Sequence, residues 1–332
     1  MMTFDEFLPV IFMAIMGLAM LTYVILDGYD LGVGLLMARA SKDQKDTMIA
    51  SIGPFWDANE TWLVLGVGLL LIAFPRAHGM VLGALYMPVA FMLIGLILRG
   101  VAFDFRVKAH DSHKATWNTI FSVGSGLASA AQGWMLGRYV TGLQEGWQYD
   151  AFAAVIAVAL PSAYILLGAC WLILKTEGEL QALAVQWAKK AWPVVVGGIG
   201  LISIATPIVS ATVRDRWFQM PEFIALLPIP LMSAIALLTL RGLLNSHRIR
   251  GKLCWVPFTL FVLVLLLGFF GLAYSLYPFV VIDQLTIWQA ASSPAALKVI
   301  LVGVAVAVPA IAAYTVLAYR VFGGKATTLS YA

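Results

Sequence analysis

Long apolar runs follow one another along this chain with little between them, and no water-soluble core could absorb that pattern. Residues 7–38, 55–74, 79–103, 116–140, 151–174, 192–213, 222–244, 254–282 and 296–321 each reach the ~20 residues that carry a helix across a hydrocarbon layer. The stretches between them are too short to hold a folded domain of their own. Only 11% of the 332 residues are charged, against roughly 25% in an average soluble domain. The runs are solidly apolar rather than alternating, which excludes a transmembrane β-barrel. The sequence therefore predicts one all-α membrane domain, 1–332, of nine transmembrane helices arranged as two four-helix bundles plus one peripheral helix.

The basic residues orient it. Sixteen of the 21 Lys and Arg fall on one set of alternating loops, and the other set receives only Arg76, Arg138, Arg214, Arg216 and Lys298. By the positive-inside rule the N-terminus lies outside and the C-terminus in the cytoplasm, as an odd number of spans requires. Loop bias also accounts for the net charge of +4, so no nucleic acid is needed to explain it. Acidic Asp5 and Glu6 precede the first run, and no basic region marks a cleavable signal peptide. Cys170 and Cys254 map to the reducing side, so no disulfide is expected. A brief polar tail, 323–332, closes the chain.

Within this apolar frame the carboxylates stand out. Asp27 and Asp30, in ILDGYDLGVG, lie inside the first run, where an unpaired carboxylate costs at least a few kcal/mol. Three residues apart, they share one helix face, and Gly28 and Gly32 beside them form a GxxxG pair that lets a neighbouring helix come close. The second run opens with GPFWDANETWL, where Asp57 and Glu60 repeat the spacing among Trp56, Asn59 and Trp62. Arg99 and Asp104, in LRGVAFDFR, reach the same level. All these groups are expected near the cytoplasmic edge. Two readings of the first pair stay open: a proton relay between coupled carboxylates, or an ion pair with Arg99 that pins two helices together. Asp57, beside Trp56 at the cytoplasmic mouth, favours proton traffic. Glu60 reads as an acid favoured by the start of a helix.

The remaining motifs restrict the chemistry. His78, His110, His113 and His247 all lie in loops, and no run carries an imidazole for a buried haem. There is no CxxC, no P-loop and no dinucleotide fingerprint, so metals would have to sit in a partner chain. Trp288, in LTIWQAASSP, reads as an interfacial anchor. An alternative is a proton- or sodium-coupled transporter with Asp27 and Asp30 as its ion site. However, Pro207, Pro228 and Pro230 interrupt the second half without counterparts in the first, unlike the matched breaks of such folds.

In ILDGYDLGVG, GPFWDANETWL, LRGVAFDFR and LTIWQAASSP, in that order, the chain resembles subunit II of the cytochrome bd quinol oxidase family over essentially its whole length. The RGVAF wording and short loops resemble the family's cyanide-insensitive branch. The resemblance implies a subunit of a quinol:oxygen oxidoreductase in the bacterial cytoplasmic (inner) membrane. Haem b and haem d would be bound by the partner, subunit I, which also oxidises quinol. The present chain would support those haem sites beside membrane lipid and a small single-helix accessory subunit. The resemblance further implies that protons for reducing dioxygen to water come from the cytoplasm, charge being separated without a pump. It assigns the proton pathway to Asp57, next to Trp56, and matches the family's first-span acidic pair to Asp27 and Asp30; the residues themselves add Glu60 to the candidate pathway and Arg99 as charge partner. No cofactor-binding, metal-binding or redox-catalytic residue is implied in this chain.

Overall fold

The structure, a computed structural model, describes residues 3–326. It is built almost wholly of helices: α1 (Phe4–Leu36), α2 (Lys42–Ile52), α3 (Trp56–Ala73), α4 (Pro75–Ala84), α5 (Tyr86–Lys108), α6 (Asp111–Val140) and α7 (Trp147–Lys175), then α8 (Gly178–Val209), α9 (Ala211–Phe218), α10 (Glu222–Leu226), α11 (Pro228–Leu244) and α12 (Val256–Leu276). A two-stranded antiparallel hairpin, β1 (Phe279–Val281) and β2 (Leu285–Thr286), precedes α13 (Ile287–Ala290) and α14 (Pro294–Val321).

Among the described residues, eight helical stretches are long and apolar enough to cross a membrane. The thirty-residue α6 is the exception, for a physical reason. It carries Ser122, Ser125, Ser129 and Gln132, and each of these side chains is satisfied inside the protein. Ser122 donates to Gly34 O, Ser125 and Ser129 donate back along their own helix, and Gln132 lies between the hydroxyls of Tyr23 and Tyr164. Polar groups bonded in this way lower the hydropathy without exposing anything to lipid.

Two expected runs differ from the helices found. Residues 79–103 are interrupted at Leu85, where α4 ends and α5 begins. Residues 254–282 are helical only from Val256 to Leu276, because Pro278 and the β1–β2 turn follow.

That hairpin and α13 tie together the end of the molecule that holds the N-terminus of α1. Trp288 donates its indole N–H to Glu6 O (2.9 Å), Ser292 bonds Ala73 O and Ile72 O (both 2.8 Å), and Arg76 reaches Gln289 O (3.2 Å). Tyr139 donates to Val280 O, and Gln284 to Gly142 O. Trp288 is thus bonded into the fold, beyond the anchoring role its sequence position suggests.

The tightest helix contact is made by α1 against α7, and glycine creates it. The GxxxG pair meets a glycine on the partner helix. A Cβ on Gly32 would lie 1.8 Å from Tyr164 O, one on Gly28 2.7 Å from the Tyr164 ring, and one on Gly168 2.6 Å from the Gly32 carbonyl carbon. Backbone lies against backbone there, so nothing flexible can give way. Gly32→Ala is expected to destabilise the protein by at least the ~1–3 kcal/mol of an overpacked core. Thermal melts in detergent would check this, and an unchanged midpoint would contradict the packing described.

Candidate functional site

The site forms where α1, α3 and α5 meet. Asp27 sits nine residues before the end of α1, roughly 14 Å of helix at 1.5 Å per residue. Asp27 and Asp30 are both 0% exposed, and Arg99 of α5 is 2% exposed. One terminal nitrogen of Arg99 bonds Asp27 Oδ1, and the other reaches Glu60 Oε2 at 2.9 Å. The guanidinium thus spans two helices from a third. Asp30 takes a different partner: Asn59 Nδ2 of α3 donates to its Oδ2 at 2.8 Å.

Of the two readings left open for the first pair, the ion pair falls to Asp27, and Asp30 has no direct cationic contact. Glu60 lies within hydrogen-bond reach of Arg99 rather than simply facing a helix start. Asp57, one turn earlier, is exposed on the outer side of α3, and its carboxylate pairs with no cation among the described residues. Asp27, Asp30 and Glu60 therefore come together around Arg99 and Asn59, whereas Asp57 stays outside that group. The periodicity of α3 explains this: at ~3.6 residues per turn Asp57 lies roughly 160° round the helix from buried Asn59, with half-buried Glu60 between them at the edge. Asp104 is likewise exposed and stands outside the cluster. Below it, Arg106 bonds Asp46 (2.6 Å) and Asn118 (2.5 Å).

Among the described residues, three buried side-chain polar atoms have no protein partner: Asp27 Oδ2, Asp30 Oδ1 and Arg99 Nε. Asp30 and Arg99 line a narrow crevice walled by Ile52, Trp56, Phe103 and Phe121. The Trp56 ring lies 5.2 Å from that of Phe103. Unsatisfied buried groups are costly and rare in proteins, and two of the three residues that carry them here, Asp30 and Arg99, line this crevice.

Tyr29 and Asn59 stand within the quoted motifs, but their partners Tyr319, Tyr23, Gln132 and Tyr164 lie outside them. Tyr29 and Asn59 are hydrogen-bonded at 2.8 Å, and Tyr319 of α14 donates to Asn59 Oδ1 at 3.0 Å. Tyr23 on α1 accepts from Gln132 at 2.7 Å, and Gln132 in turn accepts from Tyr164. The sole hint of these partners in the sequence is a lone polar residue inside an apolar run. At the rim, hydrogen bonds from Lys114 and Lys42 hold the exposed Asp111 carboxyl below its ordinary range. Any stability that pairing adds is present above the usual carboxylate pKa and is lost as pH falls through the lowered value.

A haem would require ligands that the site lacks. His78 lies in α4, His110 and His113 are exposed at the start of α6, and His247 is exposed between α11 and α12. Among the described residues no three His, Cys, Asp or Glu side chains come together to hold a metal ion. The donor set here is carboxylate, amide and guanidinium, which suits protons rather than haem iron.

The family model for cytochrome bd terminal oxidase subunit II matches residues 8–322. The chain belongs to that family. It is similar to cytochrome bd ubiquinol oxidase subunit 2 of Bacillus subtilis, with 28% identity over 90% of this chain and 91% of the relative. It is also similar to cytochrome bd-I ubiquinol oxidase subunit 2 of Escherichia coli K12, with 24% identity over 97% and 96%. The fold matches the structure of bd oxidase from Geobacillus thermodenitrificans with a TM-score of 0.75, 15% identity, and coverage of 95% of this chain and 98% of that one. This is a multi-pass membrane protein of a terminal oxidase, an oxidoreductase complex. None of these matches supports the transporter alternative.

Removing Arg99 would leave two carboxylates without their cation. Arg99→Met is expected to cost about 3–5 kcal/mol, the range for breaking a buried pair, and Asp27→Asn less, since an acceptor remains. Paired melts of the two variants check this, and equal losses would mean that the retained acceptor counts for nothing and the charge alone carries the pair.

Proposed function

We propose that this chain is subunit II of a bd-type quinol oxidase of the bacterial cytoplasmic membrane. It would support a haem-bearing subunit I and conduct cytoplasmic protons toward it. Quinol is the electron donor, and the haems of the partner, of b and d type, supply the oxygen chemistry. A small single-helix subunit and lipid complete the surroundings.

The chain crosses the membrane nine times with its N-terminus outside, α6 being the polar fourth span. α1, α3, α5 and α6 form one bundle, α7, α8, α11 and α12 the other, and α14 lies at the edge. In favour of this grouping, α7 packs against α8 and α12, α5 against α6, and α14 mainly against α3 and α1.

The observation that carries the proton reading is the cluster of Asp27, Asp30 and Glu60 around one guanidinium, with unpartnered oxygens beside a crevice. Three carboxylates and one cation can share a proton among them, and a fixed Arg99 holds two of the acids in reach while they do so. Asp57 is the collector. It is exposed, one helical turn from half-buried Glu60, and next to the Trp56 wall of the crevice. From Glu60 the proton reaches the Asp27–Asp30 pair, and Asp30 Oδ1 is a free seat for it. The step needs no redox group in this chain.

Two measurements follow. A complex purified through a tag on this chain should carry reduced b- and d-type haem bands, and a colourless single-chain preparation would refute the assignment. Asp57→Asn should slow oxygen consumption by the ~100-fold or more that a lost proton donor costs, with the haem spectrum intact. Unchanged turnover would remove Asp57 from the path, and lost haem would make it structural.

A further inference from the structure

Asp30 is held by a device that reaches across the whole length of the chain. Its one hydrogen-bond donor, Asn59 Nδ2, also donates to Tyr29 Oη at 2.8 Å. The hydroxyls of Tyr29 and Tyr319 lie 2.5 Å apart, and that of Tyr319 donates to Asn59 Oδ1 at 3.0 Å. Leu26 O (3.3 Å) and the Asp30 carboxylate are both acceptors, so the amide nitrogen faces α1, and with that end fixed one assignment satisfies the hydroxyls. The amide N–H bonds Tyr29, Tyr29 donates to Tyr319, and Tyr319 donates back to the amide carbonyl, closing a ring in which each donor strengthens the next. The ring, together with Leu26 O, holds the amide with its nitrogen toward Asp30. If the amide turned over, a carbonyl oxygen would face the carboxyl, and Asp30 would lose its only protein donor.

Tyr319 arrives from α14, and the end of that helix is clasped. Lys175, at the end of α7, donates to Phe322 O (2.6 Å) and Gly324 O (2.5 Å). Lys325, just past α14, donates to Leu174 O (2.9 Å) and Thr176 O (3.0 Å). Each lysine thus caps the last carbonyls of the other's helix, where a cation is favoured by the open C=O groups and the helix dipole. The Ala326 N–H adds a bond to Lys175 O at 2.7 Å. Residues 323–326 of the polar tail are therefore docked, and residues 327–332 lie outside the described residues. The clasp sits one turn beyond Tyr319, whose ring lies 4.6 Å from that of Phe55. It sets how far Tyr319 reaches toward α3.

We propose that Tyr319 is a positioning residue for proton transfer at Asp30: its hydroxyl locks the Asn59 amide, and the Lys175–Lys325 clasp sets its register. This rests on the proton reading of the acidic cluster.

The test uses the whole complex with Tyr319→Phe and, separately, the double variant Lys175→Met/Lys325→Met. Each is assayed for haem content, oxygen consumption at varied quinol, and the infrared band of Asp30, identified by its loss in Asp30→Asn. Tyr319→Phe is expected to keep full haem content and quinol KM, to lower kcat roughly threefold to tenfold, the scale of one hydrogen bond, and to shift the Asp30 band. The double lysine variant should shift the same band in the same sense by less. An unmoved band in Tyr319→Phe overturns the proposal, as does loss of haem or of the partner subunit, which would make the hydroxyl purely architectural. Full turnover in Asp30→Asn would instead refute the proton reading, while the band shift would still report whether Tyr319 orients Asp30.

Discussion

A single guanidinium, buried and shared between two helices, determines what the centre of this molecule can be. Arg99 comes from α5, Asp27 from α1 and Glu60 from α3, so one side chain joins three helices, from fully buried Asp27 to the partly exposed Glu60. Pairs of this kind gain little over an apolar core, because taking both charges out of water costs nearly as much as their attraction returns. Their retention is understandable if the charge is used. Around Arg99 lie one carboxylate held by the cation, one bridging to the rim and one bonded to an amide. These three environments differ enough to give three acids different tasks.

The glycine contacts and the ion pair depend on each other. Backbone contact at Gly32 and Gly168 clamps α1 to α7 from one side, and the acids of α1 face α3 and α5 on the other. α1 is thus the spine of the site, and its small residues free the opposite face to carry chemistry. The serine- and glutamine-bearing α6 follows the same logic, since its polarity is absorbed by neighbours and emerges neither as a pathway nor as a surface.

Much of this was legible in the amino-acid sequence, and the limits are physical. Apolar run lengths reveal helices and membrane, and the spacing of Asp27 to Asp30 and of Asp57 to Glu60 reveals shared faces. Spacing does not reveal rotation about a helix axis to within one residue, which is why it does not show that Glu60 reaches Arg99 while Asp57, on the same side of α3, stays exposed. Helix ends are hidden where composition stays apolar through a turn, as at Leu85 and again at Val280. Asn59 stood in plain view within its motif. Its partners Tyr29 and Tyr319 did not, because nothing local links positions 29, 59 and 319.

The separation between Asn59 and Tyr319 also governs how the protein is made. Helices leave the ribosome in order, so α1, α3 and α5 are inserted long before α14 is synthesised. Until the last helix arrives, the Asn59 carbonyl has no donor and the tail lysine cannot close over α7. The acidic centre of a nascent chain therefore stays incomplete through nearly all of translation, and its last hydrogen bonds close only when the far end of the chain has been made.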